Sequence, residues 1–169
     1  MRDLGRSRNR HSRGTAHTRL VAPPRPVFRV LWSLHKILRR VSGGRLGTRR
    51  AHGDRLGTLF LHTVGRTSGK PRANGLFYLL DGSDLVVVAS NAGSEADPAW
   101  WLNLRDRPEA EVEIAGERRP VRARQASAEE AARLWPRLDA GSPEFAAYRA
   151  KVRRPIPVVV LEPREASTR

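Results

Sequence analysis

The chain has 169 residues, 32 Lys+Arg against 17 Asp+Glu, five His and no Cys. That length suits one domain of ordinary size, and the lack of cysteine excludes disulfides, zinc–thiolate sites, iron–sulfur clusters and a thiol nucleophile. The charge excess is local: residues 1–55 carry 15 Lys+Arg and two acids, residues 56–169 the other 17 bases and 15 acids. Arg outnumbers Lys 29 to 3, a bias that GC-rich coding also produces, so charge alone does not define a nucleic-acid binder. No apolar run approaches the roughly 20 residues that span a bilayer, and a soluble, cytoplasmic protein is expected.

Residues 1–26 are rich in Arg and poor in apolar side chains; they read as a disordered basic tail, because little buried surface would offset the entropy of ordering them. In residues 27–41, Val27, Val30, Leu31, Leu34, Ile37, Leu38 and Val41 recur at helical spacing opposite Arg29, Ser33, Lys36 and Arg40. That predicts an amphipathic helix, lying either on the domain or on an anionic membrane surface. Gly43-Gly44 ends it, and residues 42–55 read as a Gly-rich connection.

From residue 56 the pattern is mainly β. Strands are expected over Leu56–Val64, Ala73–Leu80 and Asp84–Ser90, with a hairpin signal at Asp81-Gly82 and a Val run that implies burial on both faces. Asp97 followed by Pro98 predicts an N-cap and first turn, opening a short helix through Arg105. Glu111–Ala115 and Pro120–Gln125 form a further hairpin about Gly116. Ser127 with Glu130 makes a capping box for a helix through Leu138, which Pro136 should kink or break. A short helix over Pro143–Lys151 and a buried strand over Ile156–Leu161 complete the domain, and 165–169 is a tail. Hairpins with inserted helices indicate an α+β or partly open barrel class, and neither a dinucleotide fingerprint nor a phosphate loop is present.

The loop Gly65-Arg66-Thr67-Ser68-Gly69-Lys70-Pro71-Arg72 combines two glycines, three cations and two hydroxyls. Charged donors and backbone amides converging on one anion would suit a phosphate or a polycarboxylate; an ordinary solvated basic hairpin loop has the same composition. Ala89-Ser90-Asn91-Ala92-Gly93 ahead of a helix offers a second anion cradle. Trp100 and Trp101 could wall a flat ligand, although adjacent tryptophans on a helix commonly pack in a core. His62 reads as a structural strand histidine, and no two His fall at metal-ligand spacing, so no metal site is expected. Tyr148 can donate a proton or pack. So few acid/base groups imply a cofactor that carries the chemistry.

Taken together, GRTSGKPR at 65–72, LFYLLDG at 76–82, VVVASNAG at 86–93, DPAWWLNLRDRPEAEVEI at 97–114, SAEEAARLWPRL at 127–138 and RPIPVVVLEP at 154–163 resemble the deazaflavin-dependent nitroreductase family. The resemblance covers residues 27–163. It implies a split β-barrel of the flavin-reductase type, about six strands with inserted helices and the N-terminal amphipathic helix, in which 56–164 form the cofactor-binding domain. It also implies coenzyme F420, a polyanion with a phosphate and an oligoglutamate tail, and hydride transfer to a quinone, enone or nitro compound.

By the resemblance, the cofactor contacts are Arg66, Thr67, Ser68, Gly69, Lys70 and Arg72, then Asn74 and Phe77, then Val88, Ala89, Ser90 and Asn91, then Trp100, Trp101 and Asn103. Phe145 and Tyr148 face the substrate, with Tyr148 or solvent as the proton donor. Relatives often carry Lys at the place of Thr67 and Lys-Gly-Gly at that of Asn91-Ala92-Gly93. Nitroimidazole-reducing relatives carry tyrosines where Ser142, Phe145 and Tyr148 stand, so one phenol is left here. FMN or haem on the same fold, and a non-enzymatic binder of nucleic acid or anionic membrane through residues 1–55, are the alternatives.

Overall fold

The computed structural model describes residues 48–165; the basic tail, the amphipathic segment 27–41 and residues 166–169 lie outside them. Six antiparallel strands form a closed barrel in the order β1-β2-β3-β6-β5-β4. They are β1 Gly57–Val64, β2 Pro71–Asp81, β3 Asp84–Val88, β4 Glu109–Ile114, β5 Glu117–Gln125 and β6 Val158–Pro163. A helix α1, Ala99–Asp106, follows β3, and α2, Ala128–Gly141, with α3, Glu144–Lys151, lies between β5 and β6. The architecture is the six-stranded antiparallel barrel with inserted helices that the family resemblance implied, and it is closed rather than partly open as the hairpin pattern suggested.

Alternation along each strand produces two apolar clusters. Leu59, Leu61, Tyr78, Leu85, Val87, Val112, Ile114, Val121, Val159 and Leu161 fill the barrel. Leu79, Val86, Val88, Val158 and Val160 point the other way and meet Leu134, Leu138 and Phe145 of the covering helices. The Val86–Val88 run is therefore buried on both faces, as its lack of alternation implied. The hairpin turns sit where backbone freedom demands: Gly82 has φ +63, and Ala115-Gly116 have φ +53 and +84, the double positive φ of a tight two-residue hairpin.

Two local expectations are corrected. Asp97 does not cap α1; Pro98 occupies the N-cap without a side-chain cap, because the Asp97 carboxylate is engaged 2.8 Å from Arg154 Nη1. Pro136 does not end its helix, since α2 runs unbroken from Ala128 to Gly141. The amide that proline lacks would have served the carbonyl of Ala132, and both residues are exposed, so that carbonyl stays open to solvent while Leu134 and Leu138 anchor the opposite face.

Residues 48–55, read as part of a connection, run against the barrel. Arg49 bridges Thr58 in both directions (3.1 and 2.8 Å), and the Ala51 amide donates to the Tyr78 hydroxyl at 2.9 Å. Gly57 permits this approach, since a Cβ there would lie 2.5 Å from the Arg49 carbonyl oxygen.

Candidate functional site

β1 and β2 are joined by the 65–70 loop, and β3 runs antiparallel to β2. Leaving β3, the chain therefore arrives at the barrel end that carries the loop. The two segments singled out from sequence, 65–72 and 89–93, thus share one end of the molecule, with α1 following directly.

The loop is built from within. The amides of Ser68 and Gly69 donate to the Gly65 carbonyl (3.2 and 2.7 Å), and the Gly65 amide donates to that of Lys70 at 2.9 Å. Gly65 leaves room for Ser68, whose Oγ would lie 2.7 Å from a Cβ there, and Gly69 takes φ +64. Ser68 Oγ accepts from the Lys70 amide (3.3 Å) and from Arg72 Nη2 (3.4 Å). Arg66, Thr67, Ser68, Gly69, Lys70 and Arg72 are all exposed.

Among the described residues, no carboxylate pairs with Arg66, Lys70 or Arg72, whereas Arg118, Arg122, Arg124, Arg133, Arg137 and Arg154 each meet one. A rigid turn presenting three uncompensated cations fits a phosphorylated, polycarboxylate cofactor.

Asn103 supports the loop from behind. It is 5% exposed; its Oδ1 accepts from the Arg66 amide at 3.1 Å, and its Nδ2 donates to Thr63 Oγ1 at 3.2 Å. Each end of its amide thus has one protein partner. Trp100 and Trp101 pack edge to face, centroids 6.5 Å apart, and both are buried in the barrel cluster; their aromatic surface serves the core. Asn74 shares by alternation the inward face of Leu76 and Tyr78, while Phe77 is 54% exposed on the outer one.

Val88, Ala89 and Ser90 are buried and Asn91 is exposed. Asn91 Nδ2 donates to the Ala96 carbonyl at 2.9 Å. Gly93 abuts α3: a Cβ there would lie 3.2 Å from Tyr148 Cδ1 and 3.2 Å from Lys151 Cδ. This brings half-buried Tyr148 against the second segment. Phe145 is 7% exposed within the outer cluster, so its ring packs under the helices. His62 Nε2 lies 3.0 Å from Glu113 Oε2, with Arg118 Nε 3.6 Å from the same oxygen, consistent with a structural strand histidine. No group of three or more potential metal ligands occurs among the described residues.

A groove of about 460 Å³ opens beside Phe77, lined by Arg49, Asp54, Arg55, Leu56, Ala140, Gly141, Ser142, Pro143 and Glu144. The Ser142 hydroxyl donates to Glu144 at 2.5 Å and holds that carboxyl below its usual range, with the Glu144 backbone amide assisting. Of this wall the sequence reading named only Phe77 and Ser142; the other residues come from segments around 49–56 and 140–144 that no sequence spacing connects.

A closed six-stranded barrel with inserted helices, a cationic hairpin loop and a second loop at the same end places the chain among the split-barrel proteins. A sequence profile of the F420H(2)-dependent quinone reductase family matches residues 32–163, and the chain belongs to that family. The F420H(2)-dependent quinone reductase Rv1261c of Mycobacterium tuberculosis is 34% identical over 134 residues, 78% of this chain and 89% of its own. Rv3178 of the same organism, whose name carries that activity provisionally, is 41% identical over 107 residues, 63% of this chain and 90% of its own. Among solved structures, an F420-H2 dependent reductase (FDR-A) superposes with TM-score 0.57 at 29% identity, covering 62% of this chain and 93% of that one.

Proposed function

We propose that this chain reduces quinones with reduced coenzyme F420, holding the anionic part of the cofactor on loop 65–72 and receiving the acceptor at the groove beside Phe77. The observation that carries the reading is the internally bonded loop whose Arg66, Lys70 and Arg72 have no carboxylate partner among the described residues. When bound, the cofactor supplies a hydride from C5 of its deazaflavin ring. Arg66, Lys70 and Arg72 bind the phosphate and carboxylates, with Thr67, Ser68 and backbone amides beside them. Val88, Ala89, Ser90 and Asn91 line the second stretch. The exposed ring of Phe77, a cofactor contact by the resemblance, offers the cofactor ring and the acceptor a shared apolar platform, and Ser142 stands at the groove wall. Tyr148 gives a proton to the reduced acceptor, and the packing of α3 over Gly93 keeps water from that side.

The test is a fluorescence titration with oxidised F420 at low and moderate salt, followed by oxidation of F420H2 by a soluble quinone. Saturable binding that survives moderate salt, together with turnover, supports the reading. Arg66→Ala and Arg72→Ala should each weaken binding by about 1.5–3 kcal/mol, the range for hydrogen bonds to charged groups. Unchanged affinity in both, or binding of FMN or haem instead, would overturn it. Residues 27–41 are assigned within the same proposal to an anionic membrane surface, which would bring a cytoplasmic enzyme to lipid quinones; co-sedimentation with anionic liposomes that persists without this segment would reject that assignment. Among the described residues no helix is long and apolar enough to cross a membrane.

A further inference from the structure

Segment 89–94 has an unusual backbone. Asn91, Ala92 and Gly93 take φ +47, +52 and +70 in succession, although only glycine enters the left-handed region without a steric penalty. Such a run persists only where its surroundings over-determine it. The Gly93 and Ser94 amides donate to the Ser90 and Asn91 carbonyls at 3.0 and 3.1 Å, which curls the segment but does not fix it to the barrel.

The fixing group comes from far along the chain. Arg154, between α3 and β6, is 14% exposed at its side chain. Its Nη2 donates to the carbonyls of Ala89 (3.0 Å) and Ser90 (3.2 Å), its Nε to that of Ser94 (3.0 Å), and its Nη1 to Asp97 Oδ1 (2.8 Å). One guanidinium thus grips the segment before, after and beyond its left-handed run. The next attachment is parallel: the Arg153 amide donates to Glu95 Oε1 at 3.0 Å.

We propose that Arg154 is a positioning residue for the cofactor site, setting the path of residues 89–94 without touching the cofactor. The inference rests on the F420 reading above. A lysine ammonium can meet Asp97 but cannot span the three carbonyls, because it lacks the planar fork of donors. The clamp therefore predicts separable effects of charge and shape.

The test uses the full chain with Arg154→Ala, Arg154→Lys and, as a control, Arg124→Ala. Arg124 is bonded to Glu130 and Glu162 on β5, α2 and β6, away from the segment. Amide hydrogen exchange of the cofactor-free protein, F420 fluorescence titration and thermal midpoints are read together. Arg154→Ala should speed exchange at Gly93 and Ser94 and raise the F420 Kd about tenfold or more, as small misplacements of binding groups do. Arg154→Lys should recover most of the thermal midpoint but not the affinity. Arg124→Ala should lower the midpoint and leave the Kd unchanged.

Exchange over 89–97 that matches wild type would overturn the proposal. So would a Lys variant with wild-type affinity, or an Arg124→Ala affinity loss equal to that of Arg154→Ala. If Arg154→Ala does not fold, the Lys variant carries the comparison. Failure of wild-type protein to bind F420 removes the functional reading, while the exchange data still judge the clamp.

Discussion

Asn103 illustrates how a buried amide governs an exposed loop. Both ends of its carboxamide are used, one by the Arg66 amide and one by Thr63, so Asn103→Leu would strand a buried hydroxyl and a loop N–H. Unmade bonds of this kind cost about 1–3 kcal/mol each. The Arg66 N–H belongs to an exposed residue and can turn to solvent, so denaturant unfolding should show a loss of about 1–3 kcal/mol from the Thr63 side, and F420 titration should show weaker binding, because the base of loop 65–72 is no longer fixed. A destabilised variant with wild-type affinity would separate Asn103 from the loop. Tyr148 makes the opposite case: Tyr148→Phe keeps the ring against Gly93 and removes the proton, so turnover should fall while F420 affinity holds. Equal loss of both would remove the proton-donor role. The identities of these residues were legible in the sequence. Their directions were not: whether Asn103, Trp100 or Phe145 turns toward a ligand or into packing is decided by which neighbours the barrel brings beside them, and all three turn inward.

At the scale of elements, α2 shows which local signals are self-sufficient. The Ser127–Glu130 box forms as its spacing implied, with the Glu130 amide donating to Ser127 Oγ at 3.1 Å and the Ser127 amide to Glu130 Oε2 at 2.7 Å. Residues three apart can satisfy each other without tertiary help. Pro136 does not break the helix because its effect depends on what lies outside it. Arg133 and Arg137 both reach Asp81 (2.6 and 2.9 Å) and, Arg133 foremost, hold that carboxyl below its usual range; they pin the helix on both sides of the proline. Pro136→Ala should therefore restore one helix bond and raise stability by roughly 2 kcal/mol, the propensity gain less the lost restriction of the unfolded chain. An unchanged denaturation midpoint would mean that the helix is already relaxed around the ring.

The same helix sets a pH limit. Hydrogen bonds from Arg124, and then from the Ser127 amide, bring Glu130 from the usual 4.5 to about 2. A carboxylate depressed on folding stabilises fully above its unfolded pKa and loses that contribution as pH falls toward the folded one. The thermal midpoint should therefore decline between about pH 4.5 and pH 2, and Glu130→Gln should flatten that part of the profile. An equally steep profile in the variant would assign the decline to other carboxylates.

Across the whole molecule, barrel closure is the feature that sequence patterning could not supply. Strands and hairpins follow from alternation and turn residues, but the pairing of β4 with β1, Phe60 opposite Glu113, joins residues about fifty positions apart whose patterns carry no register. The approach of residues 49–51 to β1 was equally hidden, because the Gly-rich composition there reads as freedom. The structure instead uses Gly57 as a space: a Cβ would stand 2.4 Å from Tyr78 Cε1, 2.5 Å from the Arg49 carbonyl and 2.6 Å from the Ala51 amide nitrogen. Two of these are backbone atoms, which cannot swing aside as a side chain can. Gly57→Ala should thus break the Arg49–Thr58 bridge or the Tyr78 bond to Ala51, at a cost of about 1–3 kcal/mol typical of overpacking. Arg49 and Leu56 line the groove beside Phe77, whereas loop 65–72 lies at the far end of β1. The variant should therefore raise the KM for quinone while leaving the F420 Kd unchanged. Steady-state kinetics with a soluble quinone, set beside the fluorescence titration, measures both quantities. A KM that stays at the wild-type value in a destabilised variant would place the acceptor elsewhere than this groove.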